Sequence, residues 1–296
     1  MHGLAVCTNK NDTVSSNSRE IPEILPTDQI YANARTVFVI PEYKLIFITF
    51  PKVACSEWKR MFMRINGNPN WCKIRHFDAH NPKNNKISIL SDYSTEIATA
   101  MMTSPSWTRA AFVREPKERV LSAFLDKSVK EDYFARKCCD KIPNEEDKVS
   151  CRQNKKSFKS FLHFVTEYPE QCFDVHWEAQ VAKIDEKWWP YIDFIGQQSN
   201  LLEDSKKLLK SLKSAKDSVP HRSVWERYGV SGWGNDNELC EKRPNSFLVE
   251  NSSAHKLDTA SRMKEWYTLE TEMMVEKGWA VEWQQKKLVF PEVKLF

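Results

Sequence analysis

Residues Lys44 to Arg60 read KLIFITFPKVACSEWKR, and the fold turns on them. The apolar run LIFITF has the length and the aromatic, β-branched content of a strand covered on both faces. Pro51 ends it. From Ser56 the apolar positions Trp58, Met61, Phe62 and Ile65 return at helical spacing, until Gly67-Asn68-Pro69 stops the pattern. Upstream, Val37 to Ile40 reads as a second short strand joined through a turn at Pro41-Glu42. The same order recurs at RAAFVREPKERVLSAF: a strand over 109–113, a turn at Arg114-Glu115, and Pro116 opening a helix, where its missing N–H costs nothing. Tyr191 to Gly196 (YIDFIG) reads as a third strand, followed by a helix over 199–212 with Ser199 as N-cap. Further helices are expected over 94–102, 157–168 and most of 258–283. Strand–helix units in succession predict an α/β fold, a parallel sheet flanked by helices.

The chain has 296 residues, 41% hydrophobic and 28% charged, which excludes a largely disordered or collagenous protein. Residues 1–34 read as a flexible polar tail or stem and 35–296 as a single domain. Its segment around 130–156, charged and Cys-rich without periodicity, reads as an insertion. A net charge of +4 is too weak to argue for nucleic-acid binding, though it suits a local anion site. With only seven Gly, a glycine-built phosphate loop is not expected. No apolar stretch approaches the roughly 18 residues of a membrane helix. The first twenty residues lack the basic start and apolar run of a signal peptide. Eight Cys with no CxxC pair and no His at zinc spacing argue against structural zinc. Crowding of Cys138, Cys139 and Cys151 points instead to disulfides in an oxidising compartment, with Cys151 bridged to Cys138 or Cys139. The sequons at Asn11 and Asn251 lean the same way. A lumenal protein whose anchor or signal lies outside this chain fits these features.

A buried strand feeding a tight loop and then a helix N-terminus builds an anion cradle from free backbone N–H groups and the helix dipole. Lys52 lies in that loop, and Ser56 is placed to cap the helix or donate its hydroxyl. It is not a Walker A loop, since the glycines and the Gly-Lys-Ser/Thr ending are absent. Arg114 stands at the end of the next strand, on the edge where open α/β sheets bind ligands, with Ser122 about two turns into the following helix. A guanidinium fork and a hydroxyl can share one anion. Each corner alone also reads as plain scaffolding, with Arg114 paired to Glu115 or Glu118. Two such corners in one sheet suit a ligand with two separated anionic groups.

PKVACSEWKR resembles the 5′-phosphosulfate-binding loop of the Golgi carbohydrate sulfotransferases, the chondroitin, dermatan and HNK-type enzymes. FVREPKERVLSAF resembles their 3′-phosphate-binding segment. Fainter echoes are His80-Asn81, His176-Trp177, the strand Asp193 to Gly196 and Asn251-Ser252-Ser253. The likeness implies a P-loop-like core and transfer of a sulfuryl group from 3′-phosphoadenosine 5′-phosphosulfate to a sugar hydroxyl, without a metal, in the Golgi lumen. It implies that Lys52 assists departure of the 5′-phosphate. Val53, Ala54, Cys55, Ser56, Glu57 and Trp58 would line the 5′ side, and Arg114 and Ser122 would hold the 3′-phosphate. The acceptor is then a glycan or glycoprotein, and any membrane tether lies outside this chain.

The acceptor hydroxyl also needs a base, for which histidine is suited near neutral pH. His76, Asp78 and His80 lie between the two anion motifs; His80 stands first and His176 second. His163 reads as structural, and His221 and His255 are given no role. The family's acidic residue after the FIG strand is replaced here by Gln197-Gln198-Ser199-Asn200. Trp188, Trp189, Trp225 and Trp233 read as core or as sugar platforms, and Cys55 as a free packing residue. Two alternatives remain open, a P-loop-type kinase and a catalytically inactive glycan-binding protein on the same fold.

Overall fold

The computed structural model describes residues 37–71, 79–214, 223–229, 259–290 and 295. The tail, His76, Asp78, His221, His255, Trp233 and both sequons lie outside the described residues. The LIFI stretch forms strand β2 (Leu45–Ile48), buried at every position. Strand β1 (Val37–Ile40), equally buried, pairs with it antiparallel, Val37 opposite Ile48. Strands β3 (Thr108–Val113) and β4 (Phe194–Gln197) continue the sheet in the order β1-β2-β3-β4, both pairings parallel. The expected parallel sheet is β2, β3 and β4. The edge strand β1 is antiparallel because the turn Pro41–Tyr43 reverses the chain, whereas a parallel pair needs a long crossover.

Helix α1 (Cys55–Ile65) follows β2, and α2 (Thr95–Thr103) is capped by Ser94. Helix α3 (Pro116–Phe124) follows β3; Glu115 caps it by accepting the Glu118 N–H at 2.7 Å. Within the segment read as an insertion lie α4 (Tyr133–Lys137) and α5 (Glu145–Gln153). They are anchored by the buried Phe134 and Ala135 and by two disulfides rather than by a long apolar stripe, so periodicity could not reveal them. The bridges are Cys139–Cys151, one of the two pairings expected for Cys151, and Cys138–Cys172. Helix α6 (Phe158–Glu167) is capped by Ser157. Helix α7 (Leu201–Ser211) starts after Asn200, not Ser199, which lies in the 3-10 turn Gln198–Asn200. Helices α8 (Thr259–Trp266), α9 (Leu269–Gly278) and α10 (Val281–Gln284) close the described chain.

Two apolar clusters result. One joins the sheet to α1, Met102, Trp188, Trp189 and α7. The other joins α3, α4, α6, α8 and α9 around the four bridged cysteines. Trp188 and Trp189 are thus core, as are Trp177 and Trp58. Among the described residues no helix is long and apolar enough to cross a membrane.

Beneath the β2–α1 corner, Phe112 packs 4.8 Å from Trp58 and 5.9 Å from both Phe47 and Phe194, ring centre to ring centre. Gly196 is paired in register with Phe112, and a Cβ there would stand 2.4 Å from its ring. The ring cannot yield, being wedged by three others. Gly196→Ala is therefore expected to lower stability by about 1–3 kcal/mol, read as a shift of the urea midpoint. An unchanged midpoint would show that the ring has room to move.

Candidate functional site

The loop Pro51–Ala54 makes its turn without a glycine. Lys52 (φ 69°) and Ala54 (φ 54°) both occupy the left-handed region, a cost of about 1–2 kcal/mol for each side chain. Strain of this kind persists only where the surroundings impose it. Here two arginines from the β3–α3 corner hold the loop by its carbonyls. Arg119 donates to the Pro51 carbonyl at 3.1 Å and Arg114 to that of Lys52 at 3.2 Å. Ala54 is the α1 N-cap and offers no capping side chain, so the orphan N–H groups of the first turn are left to other partners. Val53 and Trp58 are buried side chains, so toward a ligand they can present only backbone. Cys55 is a free thiol, half-buried, as read from the sequence.

Arg114 is itself built in. The fully buried Gln180 side chain accepts its N–H and donates to its carbonyl, each at 2.9 Å. Its Nε pairs with Glu118 at 3.2 Å. Ser122 is buried on α3, one turn before Asp126. Asp126 Oδ2 receives the Lys52 ammonium at 3.0 Å and that of Lys127 at 3.1 Å. Burial pushes the Lys52 ammonium below the usual lysine range, with Asp126 opposing. Burial would raise the Asp126 carboxyl, but Lys52 and Lys127 outweigh it and draw it down to about 2.

The two leading histidines differ in their engagement. His80 Nε2 lies 2.9 Å from Ser56 Oγ and its Nδ1 lies 2.7 Å from Lys59 Nζ, so both ring nitrogens are occupied. His176 Nδ1 lies 2.5 Å from Asp174 Oδ1, and an ionised carboxylate there requires the proton on Nδ1. This directs the basic lone pair to Nε2, on a side chain 25% exposed. Tyr133 donates to the other Asp174 oxygen at 2.6 Å. Burial lowers the His176 pKa against the pull of Asp174, and Lys127 and Lys52 act on it in the same sense. His176 therefore shares an electrostatic neighbourhood with the loop lysine. Arg119 also donates to the carbonyls of Val175 (3.2 Å) and Glu178 (2.6 Å), tying the His176 segment to Pro51. His163 is exposed on α6.

The profile of the sulfotransferase family matches residues 35–267, most of the chain and both corners. The chain belongs to the sulfotransferase family. It is 29% identical over 197 residues to human carbohydrate sulfotransferase 9, covering 64% of this chain and 43% of that protein. With rat carbohydrate sulfotransferase 11 the identity is 27%, covering 66% of this chain and 56% of the relative. Mouse carbohydrate sulfotransferase 14 is 25% identical, covering 70% and 54%. The chain thus spans about half the length of these curated relatives. No solved structure matches it.

Within this sulfotransferase chain, sequence reading passes over Asp126, Asp174, Tyr133, Arg119 and Gln180. Two of them carried a local signal. Asp126 lies four residues after Ser122 on the same helical side, and Asp174 stands two before His176, whose N–H it also accepts at 2.9 Å. The others act across 41 to 68 residues of sequence and have none. Among the described residues no group of three or more His, Cys, Asp or Glu could hold a metal ion.

Proposed function

We propose that the protein transfers a sulfuryl group from 3′-phosphoadenosine 5′-phosphosulfate to a hydroxyl of a glycan or glycoprotein. One observation carries this reading: the Arg114 guanidinium rests on the carbonyl of Lys52. The two anion-suited corners therefore adjoin, which supports reading them as one site for a single doubly anionic nucleotide. The strained loop, its uncapped helix start and the ammonium of Lys52 suit the 5′ side. Arg114 and the Ser122 hydroxyl suit the 3′-phosphate. When bound, the nucleotide supplies the sulfuryl group.

Lys52 neutralises charge gathering on the departing 5′-phosphate as the bond from sulfur to its oxygen breaks, and the α1 N–H groups and Ser56 orient that phosphate. His176 takes the proton of the acceptor hydroxyl while its oxygen bonds to sulfur. His80 is the second candidate; its two occupied nitrogens suit it to positioning Ser56. Membership of a family whose named relatives are carbohydrate sulfotransferases supports the glycan acceptor. Golgi lumenal residence and a single domain over 35–296 follow the same reading.

Titration with 3′-phosphoadenosine 5′-phosphate, followed by a glycan panel with labelled donor, tests it. Expected are micromolar-class binding and label transfer. Binding without transfer to any glycan would favour the inactive glycan-binding alternative, and transfer from ATP instead would favour the kinase. Arg114→Ala is expected to weaken nucleotide binding by about 10-fold or more, the loss of one charge-assisted contact. Undiminished affinity would remove Arg114 from the site.

A further inference from the structure

Asp126 stands where the regular helix gives way. Helix α3 ends at Phe124, and Leu125–Lys130 continue as π-helix, a winding that recurs at functional sites. There one carboxylate oxygen is shared by two ammonium groups, Lys52 and Lys127. Lys127 has a second partner in Glu131 at 3.1 Å. Two cations, Lys127 and Arg114, also act on the Lys52 amine. His176 lies close enough for Lys52 to influence it. Among these groups Asp126 is the anion that meets Lys52 directly.

We propose, on the reading that Lys52 meets the donor, that Asp126 is a positioning residue, which draws the Lys52 ammonium toward α3 and holds it charged where the transferring group is to lie. A buried amine beside two cations tends to release its proton, and a neutral amine cannot stabilise a departing phosphate. Asp126 opposes that release, and its own low pKa of about 2 keeps it ionised across the working pH range. Because its Oδ2 is divided between two ammonium groups, its hold on Lys52 is partial. An incoming sulfuryl oxygen can take up the amine while Lys127 continues to satisfy the carboxylate.

The test reads Lys52 itself, as the pH dependence of its labelling by acetic anhydride, followed by peptide mass spectrometry. Asp126→Asn is expected to lower the labelling midpoint by about 1–3 pH units, with the alkaline limb of the transfer rate moving alike. Asp126→Glu should restore both. A midpoint unchanged in Asp126→Asn overturns the proposal. Lys127→Met provides a second arm should Asp126→Asn fail to fold. It removes a competing cation and leaves Oδ2 to Lys52, so the midpoint should rise; no change, or a fall, overturns the proposal. If the wild type does not bind 3′-phosphoadenosine 5′-phosphate, the functional reading fails on its own, while the labelling midpoint still reports on the Lys52–Asp126 pair.

Discussion

Lys52→Ala is expected to leave a folded protein whose sulfuryl-transfer rate is lower by about 10²–10³-fold, the scale of losing one preorganised donor to developing charge. Lys52 is the one cation in the loop Pro51–Ala54, and it is held at 3.0 Å by Asp126 rather than left to wander. Removing it does not orphan Asp126, which keeps Lys127 at 3.1 Å. Stability should therefore change little, and a melting curve beside the initial rate separates a chemical loss from unfolding. Relief of the left-handed backbone is not expected to offset the change, because alanine bears the same Cβ. Wild-type turnover in this variant would detach the loop lysine from the chemistry.

The second large effect is at the base. His176→Ala should cost about 10²–10⁴-fold in rate with the affinity for 3′-phosphoadenosine 5′-phosphate kept, since the ring holds no part of the nucleotide in this reading. The base must be neutral to accept a proton. Burial lowers the His176 pKa against Asp174, so the acid limb of the rate should lie below that of free imidazole, about 6.5. Asp174→Asn separates orientation from basicity. With the carboxylate gone the limb moves further toward acid, yet the rate falls because Nδ1 loses the partner that fixes the tautomer. A full rate in His176→Ala, with a large loss in His80→Ala, would return the assignment to His80.

The two corners were legible because each is a local statement. A strand of period-free apolar residues, a breaker and a helix of period 3.6 lie within about twenty residues, and so do Arg114 and Ser122. The same locality explains the errors at the margins. Ser199 has the chemistry of an N-cap, but Asn200 holds the position, bonded to Asp204 at 3.0 Å. The few glycines argued only against a glycine-built loop, while the tight loop itself was read from the sequence. What spacing did not show is how it is held: arginines more than sixty residues downstream grip its carbonyls and offset the strain.

Sequence alone determined the four strands and the principal helices outside 130–156, the covered character of β2, the anion-suited ends of β2 and β3, and a family resemblance that the matched profile bears out. These depend on spacing between near neighbours, which the chain carries in any conformation. Only the tertiary structure decided that Arg114 lies on Lys52, that Asp126 meets the loop amine, that Asp174 orders His176 and that Cys138 bridges to Cys172. Apart from the Asp174 pair, each of these contacts joins residues tens of positions apart. They exist because burying the two apolar clusters folds the chain back on itself, and linear spacing does not encode which charges that burial leaves face to face.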